Sequence, residues 1–296
     1  MLSYEIMGAL ALAILWVNTL LIVAAAYKEM LALGAFARRL RSLGPDETGT
    51  GLVEGPCVEG AGEGGALAAL RIEQVGRKTR GDEPAIAFED RPAKSEVFGG
   101  AIATTGGAIV IEAPRERAEV EVWPERERVR AAAACASAEA FDAALPDARK
   151  ARGFVRTVAL SIGLGTRVFV FGEVRRTEGR RAIGPAEDGT LVVSAIDPRS
   201  FCAEKQALCA LFIVLVLAAA AGCTALALSE PRFGDLSKLG GLLGLGYFLL
   251  VQPAGVWLRN AVQRPNRAAL QGRWIRPLPA SAPSREDGAF ASTRAR

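Results

Sequence analysis

Apolar and polar residues are distributed along this chain in two distinct ways. Residues 6–27, 208–229 and 239–258 are blocks of about twenty apolar or small residues with almost no charge, the length that a helix needs to cross a bilayer. Between the first two blocks lies a long stretch rich in charge and turn residues, where apolar positions are short runs or alternate with polar ones. The pattern predicts helices for the blocks and a mainly β domain for the stretch between them.

The β signals are uneven. Gly106-Gly107 reads as a turn before the strand AIVIE, and AEVEVW alternates Val120 and Val122 with Glu119 and Glu121, as a strand with one wet face does. The carboxylates of Glu119, Glu121, Glu125 and Glu127 are interleaved with arginines, which predicts an ion-paired, solvated face rather than a metal or acid–base set. FVRTVAL and RVFVFGEV follow, and the second is apolar on both faces, so burial on both sides is expected. Asp188-Gly189 reads as a hairpin-type turn into LVVSA. Residues 131–145, rich in alanine, read as a helix stopped by Pro146. Residues 76–94 read as a polar loop after ALAALRIEQV.

GAGEGG, from Gly60 to Gly65, formally satisfies the dinucleotide pattern G-x-G-x-x-G. Pro56 is expected to interrupt the strand that should precede such a loop, and no βαβ unit follows. A turn between strands is therefore expected. Residues 28–44 carry Lys28, Arg38, Arg39 and Arg41 among apolar residues at helical spacing, and read as a short basic helix along the membrane surface. No basic residue precedes the first block, so it reads as a retained anchor and not a cleaved signal.

Charge adds sidedness. Residues 44–206 carry 22 Lys and Arg against 26 Asp and Glu, whereas residues 259–296 carry 8 against 2. Arg38, Arg39 and Arg41 follow the first block, and Arg259, Arg264, Arg267, Arg273 and Arg276 follow the third. Both clusters place those ends in the cytoplasm, with the N-terminus outside. The acidic balance of the middle region argues against nucleic acid as a partner. In the third block, Gly240 and Gly244 have GxxxG spacing, equally compatible with close helix packing and with plain tolerance of glycine. Asn18 and Gln252 are the conspicuous polar residues of the blocks.

Candidate chemistry is sparse. The chain has no histidine and five cysteines, none in C-x-x-C spacing. Histidine-based triads and zinc motifs are thereby excluded, and the cysteines read as structural thiols. Ser161, Ser194 and six lysines leave a Ser–Lys hydrolase chemically open, but no pair sits in a motif. No catalytic, cofactor-binding or metal-ligating residue is assigned, and no cofactor is implied.

The stretch IGLGTRVFVFGEV, followed by LVVSAIDPRSF and then a membrane block, resembles the GIDE domain, also called the beside-a-membrane domain. Gly51, Val53 and Gly55 match the family's opening G-x-V-x-G. Leu160 or Ile162, with Gly165, Val168, Val170, Gly172 and Glu173, match its second motif, and Ser194 matches a strand end. The resemblance covers about residues 1–230 and implies a β domain held between membrane helices, as in a bacterial relative of mitochondrial E3 ubiquitin ligases. The ligases' RING domain binds zinc through Cys and His, and residues 259–296 contain neither, so ligase activity is not implied. Val158 stands near a position usually acidic, and a third membrane block is added. The ligases' domain faces the intermembrane space, whereas the basic flanks here point to the cytoplasm.

The expected architecture is three α-helical transmembrane segments plus a mainly β (α+β) soluble domain, a small barrel or sandwich, at residues 45–206. Residues 259–296 form a basic tail expected to be disordered. The expected function is that of a non-enzymatic, multi-pass inner-membrane protein. Its β domain and tail are cytoplasmic, and it binds a protein partner or its own copies as a scaffold. The alternatives are a histidine-free membrane enzyme or enzyme subunit, or a component of a transport complex.

Overall fold

The structure is a computed structural model that describes residues 2–78, 85–90, 93–114, 118–125, 154–177, 179–230, 234–265 and 273–275. The chain divides into two compact units. The first comprises Met1–Leu70, Ser95–Glu125 and Ser161–Ala268, and the second Arg71–Lys94, Arg126–Leu160 and Ala269–Arg296. The expected helix at 131–145 lies outside the described residues, as does Cys135.

Three helices, α1 (Leu2–Arg39), α2 (Pro198–Ala227) and α3 (Asp235–Val262), are long and apolar enough to cross a membrane. All are longer than their sequence-based blocks, although α2 stops at Ala227, inside the expected end at 229. The expected separate helix at 28–44 is the last third of α1, because nothing from Tyr27 to Arg39 breaks a helix, and Arg38 and Arg39 in its final turn favour the negative end of the helix dipole. α2 begins ten residues ahead of its apolar block. The Asp197 carboxylate accepts from the Arg199 N–H at 3.0 Å there, and Pro198 occupies the first turn. Pro253 lies inside α3, a position that membrane helices tolerate when neighbours satisfy the freed backbone groups.

Small residues bring the helices together. A Cβ at Gly240 would lie 2.3 Å from the Ala227 nitrogen, so α3 rests directly against the end of α2, whereas one at Gly244 would make only ordinary contact with Leu15. Of the two glycines at GxxxG spacing, the first is thus demanded by packing. At Gly34 of α1 a Cβ would meet the Gln206 side-chain amide of α2 at 2.7 Å, a contact that a flexible side chain can relieve.

The first unit also holds a closed ring of strands. β1 (Gly49–Gly60), β5 (Gly100–Thr104), β6 (Gly107–Ile111), β10 (Arg180–Gly184) and β9 (Arg167–Thr177) pair in that order, and β9 pairs back onto β1. The ring settles the choice between barrel and sandwich in favour of a small barrel, which leaves no open edge between these five strands. β11 (Thr190–Ser194) adds to β9, and β7 (Glu119–Trp123) adds to β11 in parallel. β9 is buried from Val168 to Gly172, as its two apolar faces predict.

Three expectations in this region need correcting. Pro56 does not interrupt a strand: β1 pairs with β9 from Gly49 to Pro56 and with β5 from Cys57 onward, with a bulge between Cys57 and Glu59. Proline has no N–H to give, and it sits where the ladder changes partner. The turn at Asp188-Gly189 exists, with Gly189 at φ +80°, but it is not a hairpin, because β10 and β11 both pair with successive parts of β9. Glu121 is not on a wet face; it is 1% exposed. The turn expected at GAGEGG is present, as a short 3-10 turn at Glu63–Gly65 leading into β2 (Ala66–Lys78).

In the second unit β2 continues and pairs with β3 (Ala85–Asp90), which pairs in turn with β12 (Arg273–Ile275). The expected polar loop at 76–94 therefore contains a strand, whose short AIAF core is masked in sequence by acidic and basic flanks. The expected disordered tail likewise supplies β12. β4 (Lys94–Val97) and β8 (Phe154–Gly163) each pair with β2.

Candidate functional site

The most elaborate side-chain arrangement lies where the barrel meets the ends of the helices. Strand β7 ends in Glu121, Val122 and Trp123, all essentially sealed from solvent. The Trp123 indole N–H donates to Glu121 Oε2 at 3.0 Å, and Arg264, two residues past the end of α3, donates to Glu121 Oε1 at 2.6 Å. Both carboxylate oxygens are thus engaged by donors. The Arg264 guanidinium also lies over the Phe36 ring, 4.6 Å from its centroid, a cation–π contact with α1.

Aromatic contacts extend the junction to α1 and α2. Phe36 of α1 packs on Trp123 and on Phe171 of β9, with centroids 6.0 Å apart in each case, and Phe201 of α2 packs on Trp123 at 5.1 Å. One continuous apolar cluster runs from Leu52, Phe171 and Val192 of the barrel region through these rings to Phe212, Val251 and Leu258 of the helices. Arg39, at the end of α1, pairs with Asp188 at 2.7 Å and lies over the Phe171 ring at 5.2 Å. A buried carboxylate and indole with a partly exposed guanidinium in this geometry act as a clamp.

The motif residues of the resemblance lie on facing strands. Gly51 of β1 is opposite Gly172 of β9, Val53 is opposite Val170, and Gly55 is opposite Val168. A Cβ at Gly55 would sit 1.9 Å from the Ala103 carbonyl oxygen, and one at Gly172 would sit 2.2 Å from that of Gly184. These glycines are required for backbones to approach within the barrel. Ser194 is fully buried; its hydroxyl donates to the Ile196 carbonyl and accepts from the Ile196 N–H at 3.0 Å, which leaves no free nucleophile. Ser161 is exposed on β8. Among the described residues no group of three or more Cys, Asp or Glu could hold a metal ion, and Cys57, Cys202, Cys209 and Cys223 are buried free thiols. Burial pushes the Cys57 thiol above its ordinary range.

Within the helices, polar side chains face one another. Thr19 and Tyr247 hydroxyls meet at 2.8 Å, the Trp16 indole donates to Thr224 at 3.1 Å, and Gln252 donates to Asn18 at 3.4 Å. Asn18 and Gln252 stood out in sequence; Thr19, Tyr247 and Thr224 did not, since single hydroxyls barely lower the apolarity of a long block. An apolar cleft of about 820 Å³ opens between the three helices near Leu12, Cys223, Gly240 and Phe248. The junction residues were equally illegible as a group. Trp123 at the end of an alternating strand was their only local signal. No protein-family model, curated protein or solved structure matches this chain.

Proposed function

We propose that the chain is a multi-pass membrane protein of the inner membrane whose barrel is a non-catalytic platform that holds a protein partner, or further copies of the same chain, at the cytoplasmic surface. The observation that carries this reading is the Glu121–Arg264 bond, which joins residues 143 positions apart and ties the end of α3 to the barrel. A domain on a loose tether has no use for a buried ion pair with its anchor, whereas a platform that must present one face in a set orientation does. The end of α1 and the start of α2 meet the same junction through Phe36 and Phe201. Three antiparallel spans from an outside N-terminus agree with this, and both arginine clusters then fall on the barrel side. The facing Gly51–Gly172 and Val53–Val170 pairs support the likeness to the GIDE domain, because its two motifs then form one structural element.

Purification of the full chain in mild detergent tests the reading. A defined hetero-complex or homo-oligomer is expected, and a monomer with nothing bound overturns it. Sidedness is tested with single thiols at Thr48→Cys, Ser161→Cys or Asp235→Cys in a background free of native cysteine. An impermeant maleimide applied to intact cells should label only the Asp235 position. Labelling at the other two would put the barrel outside the cytoplasm.

A further inference from the structure

A second polar site lies on the barrel, away from the clamp. Arg181 of β10 is 7% exposed, and its Nη2 donates to the carbonyl oxygens of Gly44 at 3.3 Å and Glu47 at 3.1 Å. Its Nε and Nη1 are buried without any acceptor. The carboxylates nearby are committed elsewhere: Glu47 to Arg41 at 2.7 Å, Asp46 to Arg176 at 3.0 Å, and Glu54 to Arg167 at 3.1 Å. Arg181 is therefore a buried cation with no carboxylate partner among the described residues, an arrangement that is costly for the unliganded fold.

Arg181 is one of the residues lining a cleft of about 240 Å³, together with Ser42, Glu54, Thr104, Thr105 and Arg199. Arg199 reaches the cleft from the first turn of α2. It donates to the Ser42 hydroxyl, and is held by Asp197 at 3.3 Å with Glu54 further off at 3.8 Å. The cleft holds two arginines and three hydroxyls beside one carboxylate, Glu54, which is paired with Arg167. The Thr104 hydroxyl donates to the Gly107 carbonyl at 2.7 Å. The two guanidinium groups, each able to engage an anion through parallel N–H bonds, are therefore the groups that match a tetrahedral anion. The volume is below the roughly 300–1,000 Å³ usual for small-molecule sites, so the site suits a phosphate group with a short substituent and not a whole nucleotide.

We infer that this cleft is a phosphate-binding site in which Arg181 is the central ligand and Arg199 a second one. The phosphate could arrive free in water or on a lipid headgroup, since Ser42 and Arg199 lie at the barrel-side ends of α1 and α2. Binding supplies the charge that Arg181 lacks, so the ligand also stabilises the barrel where β10 meets the segment after α1.

The test uses the full chain in nanodiscs and reads the midpoint of thermal unfolding by tryptophan fluorescence. In one arm the discs contain only phosphatidylcholine and inorganic phosphate is titrated; in the other they contain phosphatidylglycerol and no phosphate is added. The wild type is expected to be stabilised in at least one arm, and the arm that responds identifies the source. Arg181→Met should lose that response, with at least a tenfold weaker apparent affinity, while unfolding no earlier than the wild type without phosphate. Arg199→Ala, at a half-exposed position, should weaken the response several-fold and serves if Arg181→Met does not fold. Arg180→Ala, on the exposed side of the same strand, should bind as the wild type does. No stabilisation of the wild type in either arm, or an unchanged response in both Arg181→Met and Arg199→Ala, overturns the inference.

Discussion

The helices and the barrel both bury apolar residues but differ in what they leave exposed. In the helices, Leu21 and Leu250 are 66% and 71% exposed while Thr19 is fully buried; in the barrel, Val168, Val170 and Phe171 are fully buried and the arginines around them face out. Water makes the difference. Exposed leucines suit helices long and apolar enough to cross a membrane, because in lipid a leucine would gain nothing by burial, whereas the barrel is held by removing aliphatic surface from water. The junction is where the two rules meet, and there a carboxylate is buried among aromatic rings.

The largest expected effect therefore comes from breaking the junction. Glu121→Ala leaves the Trp123 N–H and the Arg264 guanidinium without an acceptor. A loss of about 3–5 kcal/mol is expected from a buried pair, toward the lower figure because the Arg264 side chain keeps 32% of its exposure. Chemical denaturation in detergent should show it, together with faster proteolysis between barrel and helices. Wild-type behaviour would mean that the two parts are only neighbours.

Glycine substitutions sharpen the contrast. Gly55→Ala should cost about 1–3 kcal/mol or more, because the added carbon meets the Ala103 carbonyl oxygen of the neighbouring strand β5. Gly222→Ala, with nothing within 4 Å of the new carbon, should instead gain up to about 1 kcal/mol from helix propensity. Equal effects on the unfolding midpoint would contradict the packing described here.

Smaller effects belong to single polar contacts. Thr19→Val removes the hydroxyl that meets Tyr247 and should cost about 0.6 kcal/mol, reaching about 1.7 at most. Burial raises the Cys57 thiol above its unfolded value, so its contribution to stability is complete below the ordinary thiol range and is lost as pH climbs through the raised value. Alkylation of Cys57 in the folded chain at mildly alkaline pH should accordingly be much slower than in denatured chain. Comparable rates would show the strand around it to be open.

Much of the frame was legible because it rests on local patterns. An apolar block of sufficient length is a property of its own window, and the β character of the strand RVFVFGEVRRT is visible within its own eleven residues. The strand at Ala85–Asp90 was hidden for the same reason, since its four-residue apolar core is outweighed by the charges on either side. Neither candidate site was legible. Glu121 looked like every other glutamate in its stretch, and Arg181 like its neighbour Arg180, until the fold buried one of each.

By itself the amino-acid sequence determined three membrane-length helices, a mainly β region between the first two, the absence of histidine chemistry, and the glycines that allow strands to approach. Tertiary structure alone decided that the sheet closes into a barrel, that Pro56 marks a change of strand partner, and which charges lose their water. Hydropathy and turn preference add up along a few neighbouring residues. The environment of a charge depends on what the chain brings back from far away, as Arg264 is brought to Glu121 and Gly44 to Arg181.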